Sequence, residues 1–216
     1  MKKALVLAIA IIFIFTGFAY AEPEESEIQR VVDVKNEQGE LKNCFISNEI
    51  AFCSLWGGIV SYEARDMWAD LTILKLRGVE DVNIYINSGG GDAFAGMSIA
   101  DTIRIAQVDG LTINTHASGL IASAAVPIFL SGGYRTASKN TTFMIHRGKL
   151  FKAWASDTLS DLDAQREMMQ MSENQYVNFL VERSDLTKDD IVEKIDKTTW
   201  FSAEQAMEWG FVDTIK

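Results

Sequence analysis

The sequence predicts an α/β architecture built from stacked βα units around a mostly parallel sheet. Three observations carry that expectation. Strand-like and helix-like patterns alternate from residue 49 to residue 146, the order that puts helices on a parallel sheet. A glycine-rich turn, Ser88-Gly89-Gly90-Gly91-Asp92, sits where one strand ends and a helix begins. A long amphipathic stretch then runs through residues 157–183.

The elements follow in order. Residues 49–55, EIAFCSL, alternate and are rich in apolar side chains, the mark of a strand. Residues 61–78 place Ala64, Met67, Trp68, Leu71, Leu74 and Leu76 largely at helical spacing and stop at Gly78. Residues 81–87, DVNIYIN, form a second strand, and residues 93–107 a helix with Asp92 as its N-cap. Residues 111–117 form a strand, residues 123–133 a short helix stopped by Gly132 and Gly133, and Phe143–His146 the end of another strand. Two short helices follow the long one, in TKDDIVEKI and SAEQAMEWG. Right-handed crossovers would join the parallel strands.

The 216 residues suffice for one sizeable domain. Its N-terminal side is set apart. Lys2 and Lys3 precede an apolar run of twelve at residues 4–15, and Ala19-Tyr20-Ala21 offers small residues at the two positions a signal peptidase reads. Residues 1–21 are therefore expected to be a secretory signal cleaved after Ala21. A retained membrane anchor is the rival reading. No Cys follows the run, which argues against a lipoprotein. Residues 22–44 read as a linker, acidic at EPEESEIQ, and residues 45–216 as the domain. The expected location is periplasmic or extracellular. Losing Lys2 and Lys3 moves the formal charge from −10 to −12, with 18 basic side chains against 30 acidic ones. Such a surface repels nucleic acid and anionic lipid. Cys44 and Cys53 are the two cysteines. In an oxidising compartment they suggest a disulfide, the alternative being two buried thiols.

The glycine turn fails the dinucleotide fingerprint, because Phe94 stands where the third glycine would be, and no G-K-[ST] follows. No cofactor or metal is expected. Consecutive glycines can instead turn backbone N–H groups inward toward a developing oxyanion. Alone, the turn is better explained as a tight βα connection with no chemistry. Ser123 opens the segment SAAVPIFL. Pro127 is tolerated only within about the first helical turn, so the helix starts near Ser123 rather than Ser118. A serine there is an N-cap or, at a positive helix end, a nucleophile. Two histidines are present, His116 and His146. His146 closes a later strand, and strand ends of a parallel sheet gather on one side. It could therefore serve Ser123 as base.

Four segments, NIYINSGGGDAFAGMSIADTI, GLIASAAVPIFLSGG, TTFMIH and TTWFSAEQAMEWGFVD, resemble in order and spacing the Clp protease proteolytic subunit family. That family comprises self-compartmentalising serine peptidases of crotonase-like fold. The resemblance spans roughly residues 45–216. It implies Ser123 as nucleophile, His146 as base, and the N–H groups of Gly90 and Ala124 as the oxyanion hole. It also implies a handle helix at residues 157–183 and assembly into homo-oligomeric rings. Asp196, just before the Thr-Trp segment, is the candidate third member of the triad, the alternative being a surface acid at a helix end. Two departures stand out: Gly89 replaces the family's usual proline, and RGKLFKAW follows the histidine where Gln-Pro is common. The implied activity is serine-type endopeptidase on peptides or unfolded protein. Export would separate the chain from the family's usual ATP-driven unfoldase, so an ATP-independent peptidase is expected. A catalytically silent scaffold or peptide-binding protein on the same fold is the alternative.

Overall fold

The computed structural model describes residues 40–150 and 157–216. The expected signal segment and residues 22–39 of the linker lie outside the described residues. Among the described residues, no helix is long and apolar enough to cross a membrane.

An eight-stranded sheet organises residues 40–216. Its strands are β1 (Cys44–Ser47), β2 (Ile50–Ile59), β3 (Asp81–Gly91), β4 (Thr112–Ala122), β5 (Tyr134–Ala137), β6 (Thr142–Ile145), β7 (Thr199–Ser202) and β8 (Thr214–Ile215). The main path runs β1-β2-β3-β4-β5-β8, with β6 on β4 and β7 on β6. Among the described residues, only the β1–β2 and β6–β7 pairs are antiparallel. The expected mostly parallel α/β sheet is therefore present. The central strands β3 and β4 bury Val82, Ile84, Ile86, Ile113, Ala117 and Ile121 on alternating positions.

Helices α1 (Ser61–Leu76) and α2 (Ala93–Val108) are the crossovers between the parallel strands β2, β3 and β4. Their buried stripes are Ala64, Met67, Leu71 and Leu74 on α1, and Ala95, Ile99, Ile103 and Ala106 on α2. Both follow the helical repeat that a core-facing side needs. Asp92 caps α2 as expected, its carboxylate accepting from the Ala95 N–H at 2.8 Å. Next come α3 (Ala125–Leu130), α4 (Leu159–Glu182), α5 (Lys188–Lys197) and α6 (Ala203–Glu208). Capping boxes start the last three, at Thr158/Asp161, Thr187/Asp190 and Ser202/Gln205.

The folded body begins earlier than residue 45. The buried Asp70 carboxylate on α1 accepts from the N–H groups of Lys42 and Asn43 at 2.8 and 2.7 Å. Cys44 and Cys53 are bonded to one another and face each other across the β1–β2 ladder.

Strand β4 changes partners midway, and this division positions the site. Asn114–Ala117 pair with β5, whereas Leu120–Ala122 pair with β6. Gly119, at φ +68°, makes the bend. A side chain there would meet Asn87 Oδ1 at 2.9 Å, the same atom that accepts the Leu120 N–H at 3.1 Å.

Candidate active site

Parallel pairing carries two functional side chains to one edge of the sheet. Ala122 pairs with Met144, so Ser123 lies one residue past the end of β4's ladder and His146 two residues past Met144. The Ser123 N–H donates to the Met144 carbonyl at 2.8 Å, tying the serine turn to β6. His146 Nε2 and Ser123 Oγ are 2.9 Å apart. Both side chains are partly buried, so they remain reachable.

Ser123 has φ +55°, a left-handed conformation that a side chain adopts at a cost. It is not the first residue of a helix, as its position before Pro127 suggests. Instead α3 begins at Ala125, with Ala124 as N-cap, and Pro127 is the third helical residue. Ser123 is the strand-to-helix hinge itself. The strained hinge holds the hydroxyl beside the imidazole that follows β6.

The glycine turn packs directly on this hinge. A Cβ on Gly90 would lie 2.5 Å from the Ala122 carbonyl oxygen, 2.7 Å from Ser123 Cβ and 2.9 Å from the Ala124 nitrogen. Gly96 of α2 is as close on the other side, where a Cβ would meet the Ala124 oxygen at 2.6 Å. The Ala124 N–H has no backbone acceptor among the described residues. The Gly90 N–H, expected to be free beside it, is already engaged: it donates to Ser88 Oγ at 3.1 Å. Ser88 is buried, and its own hydroxyl donates to the Gly57 carbonyl at 2.6 Å. Of the two expected oxyanion donors, both lie at the hinge and one is bonded within its own turn.

Burial lowers the His146 pKa from the ordinary imidazole value. Lys149 adds to the effect, and a backbone hydrogen bond at Arg147 opposes it. A neutral imidazole at neutral pH is the form that accepts a proton. On α4, the Tyr176 hydroxyl donates to the Ser123 carbonyl at 3.4 Å, and burial pushes this phenol's pKa upward.

Asp196 does not take the place expected of a third triad member. Among the described residues, no carboxylate is hydrogen-bonded to the imidazole. The Asp196 carboxylate accepts instead from Nε of Arg147, whose Nη1 donates to Glu173 of α4. The ladder explains why. Ile145 pairs with Thr199, so one step further His146 falls opposite Thr198, which is left-handed at φ +53°. Asp196 sits two residues earlier, in the last turn of α5, where the neighbouring guanidinium reaches it first.

His116 lies on the face of β4 opposite its buried Ile113, Thr115 and Ala117. Its ring nitrogens contact Thr136 Oγ1 at 2.6 Å and Asn83 Oδ1 at 2.9 Å, and the ring stacks on Tyr85. Arg147, Ser88 and Tyr176 are the neighbours that sequence reasoning did not single out. Arg147 stands in the segment that departs from the family pattern, and Ser88 opens the glycine turn. Tyr176 gave no signal beyond its place on an amphipathic helix.

The Clp protease family model matches residues 42–216. The ATP-dependent Clp protease proteolytic subunit 1 of Corynebacterium jeikeium is 32% identical over 155 residues, 70% of this chain and 79% of that protein. The subunit 2 of Corynebacterium efficiens is 33% identical over 156 residues, 70% of this chain and 75% of its own length. A solved structure of a ClpP1 mutant from Listeria monocytogenes superposes with TM-score 0.68 at 22% identity, covering 88% of this chain and 95% of the other. With the match spanning nearly all of residues 40–216, the chain belongs to the Clp protease family of serine-type endopeptidases.

Proposed function

We propose that this chain is an ATP-independent serine endopeptidase that cleaves short or unfolded peptides outside the cytoplasm. The observation that carries the reading is the 2.9 Å contact between His146 Nε2 and Ser123 Oγ on the hinge beside Gly90. Ser123 Oγ attacks the peptide carbonyl as His146 takes its proton. The carbonyl oxygen becomes an oxyanion facing the Ala124 N–H. The Gly90 N–H joins it by exchanging Ser88 Oγ for the new acceptor. Collapse expels the amine, which receives the proton from His146. Water, deprotonated by the same imidazole, then releases the acid from Ser123. Removing one oxyanion donor of this kind typically costs ~10²–10³ in rate.

Location outside the cytoplasm rests on residues 1–21, with their two lysines, apolar run and Ala-x-Ala site. A reporter fused after residue 40 and exported supports it; one retained in the cytoplasm overturns it. Independence from ATP rests on that location, away from the family's ATP-driven unfoldase. Assembly of copies is supported by α4, which exposes Leu159, Leu162, Met168 and Met171. Large apolar side chains left exposed along one helix are surface that a second copy can cover. Light scattering on the mature chain should show a homo-oligomer.

One observation favours a silent scaffold instead: among the described residues, the imidazole has no carboxylate partner. A fluorophosphonate probe and a fluorogenic dipeptide decide between the two. Labelling and turnover lost in Ser123→Ala support the peptidase, and labelling that persists in that variant overturns it.

A further inference from the structure

We propose that Arg147 is a positioning residue for the base, doing through the backbone what a carboxylate on the imidazole would otherwise do. This rests on the serine-peptidase reading. The β6–β7 ladder ends at Ile145, one residue before His146. The base therefore stands on a strand end that pairing no longer holds, and Gly148 follows immediately after Arg147. Arg147 replaces the missing ladder with three ties. Its N–H donates to the Ile195 carbonyl at 3.2 Å. Its guanidinium holds Asp196 of α5 through Nε and Glu173 of α4 through Nη1. The residue next to the base is thus fixed to two separate helices.

The tie to α4 matters for geometry. Glu173 and Tyr176 lie three residues apart, on one face of that helix. Glu173 reaches the base side through Arg147, and Tyr176 reaches the Ser123 carbonyl. One helical turn therefore references the nucleophile and the base to the same frame. Stability is not what the clamp supplies. Arg147 and Asp196 are about half exposed, 45% and 46%, and exposed ion pairs contribute little to folding. What it supplies is aim, and misplacing a reacting group by about 1 Å can cost ~10²-fold in rate. The planar fork of arginine suits two carboxylates at once; the point charge of lysine suits one.

The test measures fluorophosphonate labelling rate, peptide kcat and KM, and thermal unfolding of full-length mature protein. Arg147→Gln, Glu173→Gln and Asp196→Asn should each lower labelling and kcat, Arg147→Gln by roughly tenfold or more, with KM and the unfolding midpoint near wild type. Arg147→Lys should recover part of the loss. Adding Glu173→Gln to Arg147→Gln should cost nothing further, because the residues act as one unit. If Arg147→Gln does not fold, the two carboxylate variants carry the same expectation. Wild-type labelling in all three single variants overturns the clamp while leaving the peptidase intact. Asp196→Asn falling far below Arg147→Gln also overturns it, by returning Asp196 to the imidazole. A wild-type protein whose labelling does not depend on Ser123 overturns the peptidase reading and the clamp together.

Discussion

Adjacent glycines in the turn should respond to alanine in opposite ways. At Gly90, φ is +88° and a methyl group would lie 2.5 Å from the Ala122 oxygen, 2.7 Å from Ser123 Cβ and 2.9 Å from the Ala124 nitrogen. Ordinary carbon contacts sit at about 3.5–4.0 Å, so the shortfall is about 1 Å on every side. None of these atoms can rotate away, since two are backbone and the third is a Cβ. The nucleophile hinge itself must retreat. The left-handed backbone adds about 1–2 kcal/mol for any residue with a Cβ. A displacement of about 1 Å at the reacting centre is worth ~10²-fold, so Gly90→Ala should lose about that much or more in labelling rate. At Gly89 the nearest atom to a new methyl is Leu120 Cδ2 at 3.8 Å, with no left-handed φ. Gly89→Ala should keep its rate and gain about 0.4–1 kcal/mol from a stiffer unfolded chain. The assay is the second-order rate of fluorophosphonate labelling beside a thermal melt. Gly90→Ala labelled within a few-fold of wild type, or Gly89→Ala losing as much, would refute the packing argument.

Other outcomes follow from the same geometry. Activity needs neutral His146, and burial with Lys149 lowers its pKa. The acid limb of kcat/KM should therefore have its midpoint below the ordinary value of about 6.5, falling as pH drops. Lys149→Gln removes the cation and should raise that midpoint. His116→Gln should cost folding stability by about 1–3 kcal/mol through its two lost contacts and leave the labelling rate near wild type. The bond between Cys44 and Cys53 closes a short loop with a sequence separation of 9, and its removal by Cys44→Ser with Cys53→Ser should cost about 2–3 kcal/mol in denaturant unfolding. Reduction of the wild-type protein should reproduce the loss.

How much of this was legible in the sequence depends on range. The βα alternation, the N-cap of α2 and the long α4 were readable, because each repeats a local pattern over many residues. Strands β1, β5, β7 and β8 were not, being two to four residues long. Such short strands carry too few alternations to signal a period. Strand β4 read as ending at Ala117, because Gly119 looks like a stop; in the fold it is a bend within one strand that switches partners. Ser123 was readable by residue type and by its place before Pro127, and His146 by residue type and its place at a strand end. The hinge at Ser123 was not, since a left-handed serine leaves no mark in composition. Asp196 shows the limit most clearly. Its type and position suit an orienting acid, yet its partner is decided by its place two residues before the position opposite His146 in the β6–β7 register and by an arginine 49 positions away. Neither is a local property of the segment around it. The engagement of the Gly90 N–H by Ser88 Oγ is likewise a matter of side-chain rotamer within the turn.

The most direct measurement is the site of covalent labelling. Mature protein is reacted with a fluorophosphonate at neutral pH, digested, and the adduct located by mass spectrometry, with His146→Ala in parallel. The account predicts a single phosphonylated residue, Ser123, and near-complete loss of the adduct when the imidazole is removed. An adduct on another residue, or equal labelling of Ser123 without His146, would contradict it.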